Sequence, residues 1–307
     1  MRRLLLLAAL LIALVPRVSA DEGAAFLKIG VGARAIGMGG AFTAVANDVN
    51  ALAWNPAGLA RLSGNELTAT HADMSAGLRY DFLGVATPFK YGTLAAGGAY
   101  LSQDALEGRD ANGHTTGAFG AADSFVSMGF AGSPTASLRL GGAVKVIQSK
   151  IANASAQTAA LDLGIQRSFA SFGPGKPLFG VSVQNMGPGL KFADQRSSLP
   201  LTFSLGTGYE FSQGILFALD VRQHPHAAQT TEIDFGTEYA VFPFFALRAG
   251  YGSARPIATT GTSGAATAIN GFAAGFGLRG HGYTLDYSMT PFGELGNVQR
   301  FSLGARF

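Results

Sequence analysis

Residues 32–62 read GARAIGMGGAFTAVANDVNALAWNPAGLARL, and the fold of the whole chain turns on what such a stretch can be. Gly37, Gly39 and Gly40 make its first half rich in bends. Ala41, Phe42, Ala44, Val45 and Ala46 form a small-residue run that suits a short, tightly buried helix. Asn47 and Asp48 end that run, because their side chains bond nearby backbone and favour turns over helix interiors. Trp54 stands directly before Asn55, which Pro56 biases toward an extended conformation. Ala57 and Gly58 then permit a second bend before Leu59 and Leu62. The stretch is too apolar for a solvated linker and too broken for a membrane span. It reads as a folded piece that needs a wall around it.

The N-terminal residues read as an export signal. Arg2 and Arg3 supply the positive start, Leu4 to Val15 the apolar core, and Val18, Ser19 and Ala20 the small-residue cleavage site. The apolar run is short for a membrane helix, so cleavage near Ala20 is expected and the mature chain begins near Asp21. Cysteine is absent from the 307 residues, which excludes disulfides and thiolate metal sites. Charged residues make up 13% of the chain, about half the ordinary share, and the 43 glycines are about twice theirs. After the signal no run of 18 apolar residues occurs. Apolarity without apolar runs, interleaved with small and polar residues, is the signature of a transmembrane β-barrel. The formal net charge is +3, with acids and bases scattered singly. No basic block or aromatic–basic interleaving points to nucleic acid.

Beyond residue 62 the chain reads as a wall of strands. Leu201, Phe203, Leu205, Tyr209 and Phe211 share one face, with polar residues or glycine on the other. Ile215, Phe217, Leu219 and Val221 oppose Asp220 and Arg222, and Tyr283, Leu285 and Tyr287 oppose Asp286. With few helices to cover such faces, lipid is their expected partner. Fourteen segments carry the pattern, near 65–73, 79–88, 92–101, 121–132, 136–149, 158–170, 178–186, 199–211, 214–223, 230–241, 244–253, 271–280, 282–290 and 299–307. Crossing a bilayer takes about 9 to 11 tilted residues, which most of them reach. Short links at Lys90-Tyr91, Ser212-Gln213 and Phe242-Pro243 alternate with long ones, notably 102–120 and 254–270. That phase places both termini on the periplasmic side. Phe301, Leu303, Ala305 and the terminal Phe307 alternate to the chain end.

Residues 32–60 resemble the N-terminal signature of the PorV/PorQ family of outer-membrane proteins. That family is similar to FadL-type transporters, which carry an NPA motif in a hatch inside the barrel; here the motif is Asn55, Pro56 and Ala57. The closing strand resembles the C-terminal signature that the barrel assembly machinery recognises, which makes Phe301, Leu303 and Phe307 an assembly signal. The resemblance implies an all-β chain: a signal peptide over 1–20, a plug or hatch over 21–62, and a transmembrane antiparallel barrel of about fourteen strands over 63–307. It implies a location in the outer membrane, lipid as a partner, and a monomer. Two roles are open. One is an accessory of type IX-like secretion or surface attachment, with secretion components and exported proteins as partners. The alternative is a FadL-like channel for hydrophobic small molecules such as long-chain fatty acids.

Other motifs carry less. Gly30, Gly32 and Ala35 fit the GxGxxA form of a dinucleotide fingerprint, but no strand precedes them and no βαβ unit comes after them. The polar face gathers Asp220, Arg222, Glu232, Asp234, Glu238 and Arg248 on neighbouring strands, with Arg139, Lys145, Asp162, Arg279, Asp286 and Arg306 elsewhere. Cross-strand pairing inside the lumen is the plain reading of that patch and a path for charged solutes the sharper one. His224 and His226 lack a third ligand at a recognisable spacing, and a solvated loop is expected there. Asp110, Asn112 and Gly113 lack the closing glutamate of a calcium loop. No Ser–His–Asp order suggests a hydrolase. No enzyme, cofactor or metal is expected.

Overall fold

A computed structural model describes residues 22–74, 77–109, 112–192, 195–227, 231–253, 271–291 and 297–307. The signal reading of 1–20 and the long link 254–270 lie outside them. Fourteen antiparallel strands close into one barrel. The first half comprises β1 (Glu66–Asp73), β2 (Leu78–Phe89), β3 (Gly92–Gln103), β4 (Ala121–Thr135), β5 (Leu138–Ile151), β6 (Ala154–Ser168) and β7 (Gly175–Met186). The second comprises β8 (Thr202–Phe211), β9 (Ile215–Gln223), β10 (Thr231–Phe242), β11 (Phe245–Gly252), β12 (Phe272–Gly280), β13 (Tyr283–Pro291) and β14 (Asn297–Arg306). Each strand pairs with its neighbours in chain order, and β14 returns to β1 with Leu303 opposite Ala69. Beyond the last pair, Asn65 and Phe307 exchange two backbone hydrogen bonds of 3.0 Å. The ring therefore has no free edge, which a bilayer requires.

Alternation decides which face meets lipid. In β5, Val144 and Val146 are 59% and 49% exposed, while Lys145 and Ile147 between and beyond them are 4% and 0%. Leu83, Val126, Met128, Leu163, Phe235, Leu247 and Leu303 repeat the outward apolar choice on other strands. An apolar belt of that extent marks a membrane surface, since soluble monomers rarely expose contiguous patches above a few hundred Å².

One rim carries the tight turns 90–91, 136–137, 212–214, 243–244 and 281–282. The opposite rim carries 104–120, which holds a hairpin of Leu106–Arg109 with Thr115–Phe119, and 187–201, which holds Leu190–Phe192 with Gln195–Ser197. The expectation of uniformly long links on that rim fails at 152–153, a two-residue turn with Ala152 at φ 52°. There β4, β5 and β6 run to 15, 14 and 15 residues, so paired strand reaches where loop was expected.

Inside the barrel lie residues 26–62. Phe42, Leu52 and Leu59 are within 1% of full burial, and Trp54 is buried too. The expected helix over 41–46 is instead a turn, in which Val45 and Ala46 both donate to the Phe42 carbonyl. Helical turns flank it at Ala33–Gly37, Ala51–Trp54 and Pro56–Arg61. The Thr43 carbonyl is taken by the side chains of Asn55 and Gln166, so it does not feed a helix ladder.

Candidate functional site

The candidate site is the lumen and the inner segment seated in it. The segment's own turns come first. Gly39 and Gly40 adopt φ of 69° and 93°, a left-handed pair that costs a residue with a Cβ about 1–2 kcal/mol at each position. Asn55 is extended (φ −153°, ψ 102°) and its Oδ1 accepts from the Ala57 amide at 3.2 Å, so the Asn-Pro pair starts the turn over Pro56–Arg61 as expected. Gly58 plays another part than the expected bend. A Cβ there would sit 2.5 Å from the Ala46 carbonyl oxygen, so the residue is small because two parts of the segment touch.

A row of wall glycines receives the segment. Gly141 pairs with Gly164, Gly180 with Gly206, and Gly236 with Gly250 across neighbouring strands. A Cβ on any of the six would collide with the segment: with Pro56 at Gly141, Asn55 at Gly164, Thr43 at Gly180, Ala44 at Gly206, and Met38 at Gly236 and Gly250. On the far arc, Gly84 meets Val49 and Gly129 meets Leu52. The segment thus touches strands around most of the circumference at this level. The raised glycine content has its reason here, and inward-facing glycine at strand period was the signal that could have located this row from sequence.

Polar groups fix the segment to the wall. Asp220 accepts from the amides of Phe42 and Thr43 at 2.9 and 2.8 Å. Asn55 Nδ2 shares its hydrogens among the carbonyls of Thr43, Ile165 and Val181, at 2.8, 3.1 and 3.3 Å. Gln166 Nε2 donates to the carbonyls of Thr43 and Ala46. Trp54 Nε1 donates to the Val31 carbonyl at 2.9 Å, and its ring lies 4.9 Å under the Arg222 guanidinium. Ala33 donates to Ser302.

Of the six charged residues read as a patch, Asp220 holds the segment's amides and the other five divide into two networks. In one, Glu238 bridges Arg34 of the segment and Arg248 of the wall, and Arg248 continues to Asp286 at 2.7 Å. In the other, Arg222 binds Asp234 at 2.6 Å and Glu232 at 3.5 Å and donates to the Gly40 carbonyl. Burial disfavours the Arg34 charge, but Glu238 and Asp48 outweigh it and hold the guanidinium above the usual arginine range. Burial and the neighbouring Arg139 bring Arg61 down to about 10, which leaves it charged at neutral pH. A third pair, Lys145 with Asp162 at 2.7 Å, sits where the β6–β7 register shifts between Leu161 and Leu163.

The remaining sequence candidates separate. Gly37 packs on Gly275, and Asn47 and Asp48 meet the Arg34 guanidinium. Phe301, Leu303 and Phe307 all face outward. His224 is not in a solvated loop: it is buried, with Nδ1 at 3.1 Å from Thr202 and Nε2 at 3.1 Å from Glu232. The strand pairing that carries 202 beside 222–224 decides that, and no sequence spacing reports it. Asp110 lies outside the described residues.

The model of an uncharacterised protein family, UPF0164, matches residues 15–272. No protein of curated function matches the chain. Among solved structures, the Ralstonia pickettii toluene transporter TbuX is similar at 12% identity and a TM-score of 0.65, covering 91% of this chain and 98% of that one. The Pseudomonas putida toluene transporter TodX is similar at 15% identity and 0.60, covering 90% and 96%. A Pseudomonas aeruginosa FadL homologue is similar at 12% identity and 0.54, covering 90% and 98%. At these identities the likeness is one of fold.

Proposed function

The chain belongs to the uncharacterised protein family UPF0164, and we propose that it is an outer-membrane barrel that passes apolar small molecules, with residues 21–62 as its plug. The observation that carries this reading is the glycine row. Wall and segment meet there without room for side chains, so a wide aqueous pore does not run straight through that level. A lumen filled at that level by a segment whose own core is apolar suits solutes that leave water readily. The fold likeness to the toluene transporters and the FadL homologue supports the same reading. The secretion-accessory role implied by the PorV/PorQ resemblance ranks second, because no feature of the lumen among the described residues calls for a protein cargo. No enzymatic role is proposed.

The test is reconstitution. Proteoliposomes holding the full chain should take up labelled toluene or an alkyl probe faster than empty vesicles, while planar bilayers with the same protein show little ion conductance. High conductance without uptake would remove the reading. Capture of secretion components by the barrel, again without uptake, would favour the accessory role.

A further inference from the structure

The lipid-facing surface carries a hollow beside the joint that closes the ring. At one level of the wall the register sets Leu303, Ala69, Leu83, Gly98 and Val126 side by side on β14, β1, β2, β3 and β4. All five belong to outward rows, and Leu303, Leu83 and Val126 are 62%, 58% and 64% exposed. Large and small residues alternate there, so a dip opens on each side of Leu83. Together the two dips form a hollow of about 550 Å³, inside the range of about 300–1,000 Å³ that ligand pockets occupy. A chain lying in either dip gains contacts from the taller residues beside it as well as from the floor.

Toward the rim that carries the 104–120 link, the same outward rows turn polar. The next level reads Phe301, His71, Asp81, Tyr100 and Ser124, and these residues line the hollow too. One level further, Asp73 stands opposite Arg79. Charged residues on a lipid-facing row are costly at the bilayer midplane and tolerated near the interface. That places Asp81 and Asp73 at head-group depth and Ala69 and Gly98 among the acyl chains. His71 Nδ1 lies 2.6 Å from Asp81 and its Nε2 3.4 Å from Asp73, while Arg79 is taken by Asp104 at 3.0 Å. Three carboxylates thus face one guanidinium and one imidazole. Among these described residues the acids stay in excess whether the imidazole is neutral or charged.

We propose that this hollow is a lipid site, and that its occupant is a diacyl membrane lipid with a primary ammonium in its head group. The two chains lie on either side of Leu83, over Ala69 and Gly98, and the ammonium donates to Asp73 and Asp81. A zwitterionic head finds a carboxylate for its amine and, on the neighbouring strand, the Arg79 guanidinium for its phosphate. A head with a phosphate and no ammonium meets a surplus of carboxylate and is the poorer occupant. The site needs the barrel in a bilayer and does not depend on what passes the lumen, so vesicle uptake and lipid retention fail separately.

The purified full chain in detergent is mixed with equal amounts of palmitoyl-oleoyl phosphatidylethanolamine and phosphatidylglycerol, and retained lipid is counted by native mass spectrometry. The ethanolamine lipid is expected to be retained about three- to fivefold more, the worth of one exposed charge pair. Asp73→Asn together with Asp81→Asn should bring the two lipids close to parity while total retained lipid holds, because the hollow is untouched. Ala69→Leu fills one dip with a side chain that suits a lipid-facing row. It should lower ethanolamine-lipid retention about threefold or more while the compact band on unheated gels persists. A neighbouring hollow of about 570 Å³ also includes Ala69 but has no carboxylate in its lining, so the ammonium preference reads the first hollow alone. Equal retention of the two lipids by the unaltered chain would overturn the inference. So would a preference that survives the paired Asp→Asn change, which would put the ammonium elsewhere, or one that survives Ala69→Leu, which would separate the head group from the hollow. A lipid-free dimer in the spectra would assign the hollow to a second copy of the chain and overturn it as well.

Discussion

Arg34 and Glu238 form a two-point ion pair, with Nε to Oε2 at 2.8 Å and Nη2 to Oε1 at 2.9 Å. They are 204 positions apart in the sequence. The pair joins the inner segment to the tenth strand, and Arg248 reaches the same carboxylate at 2.6 Å. Glu238 is thus the shared anion of two buried guanidinia, one on each side of the boundary between segment and wall.

That asymmetry gives the first prediction. Arg34→Met leaves Glu238 paired with Arg248 and should cost about 1.5–3 kcal/mol, one set of charged hydrogen bonds. Glu238→Gln leaves two buried cations facing each other and should cost about 3–5 kcal/mol. The temperature at which the compact band on unheated gels converts to the unfolded one measures both. An equal drop for the two variants would show that the pair is not shared as described.

A second prediction concerns the hold of Asn55. Removing its side chain frees the carbonyls of Ile165 and Val181 and the turn over Pro56–Arg61. Deleting 32–62 should leave a heat-modifiable barrel with raised ion conductance in planar bilayers, because the strands satisfy their own backbone bonds. Asn55→Ala should act in the same direction more weakly, and Pro56→Ala more weakly still. Failure of the deleted chain to assemble would show that the segment belongs to the fold's core.

Third, the glycine row separates by face. Gly250→Ala puts a methyl into Met38 and Gly39 and should destabilise the seated segment by about 1–3 kcal/mol. Gly142→Ala points outward, where its methyl would find Leu163 at an ordinary 3.4 Å, and should be close to neutral. Conductance fluctuations of the two variants read the difference. Equal behaviour would place the row elsewhere than against the segment.

Fourth, the chain end. Phe307 is 73% exposed, so its ring adds little to packing, while its backbone closes the barrel on Asn65. Deleting Phe307 should lower the amount of assembled protein in outer-membrane fractions far more than Phe307→Tyr, which keeps the ring. Equal yields would remove the assembly-signal reading.

The barrel was legible because its causes are local. Period-two alternation, turn residues between runs and the absence of helical stretches arise from how one strand meets lipid on one side and lumen on the other. All fourteen strands are found near their expected places for that reason, and the two-residue turn at 152–153 escaped because strand length beyond the rim leaves no mark in composition. The burial of residues around Trp54 and Asn55 was legible as well, since a broken apolar stretch must be covered by something. What sequence left undetermined is every pairing across the lumen. That Gly141, Gly180 and Gly236 receive Pro56, Thr43 and Met38, that Glu238 serves Arg34, and that His224 is buried against Thr202 depend on contacts between positions far apart in the chain. Such contacts are set by barrel closure, which brings strands and inner segment to fixed distances only once all fourteen are paired. The sequence alone determined which faces are apolar; only the closed ring decided which charge meets which.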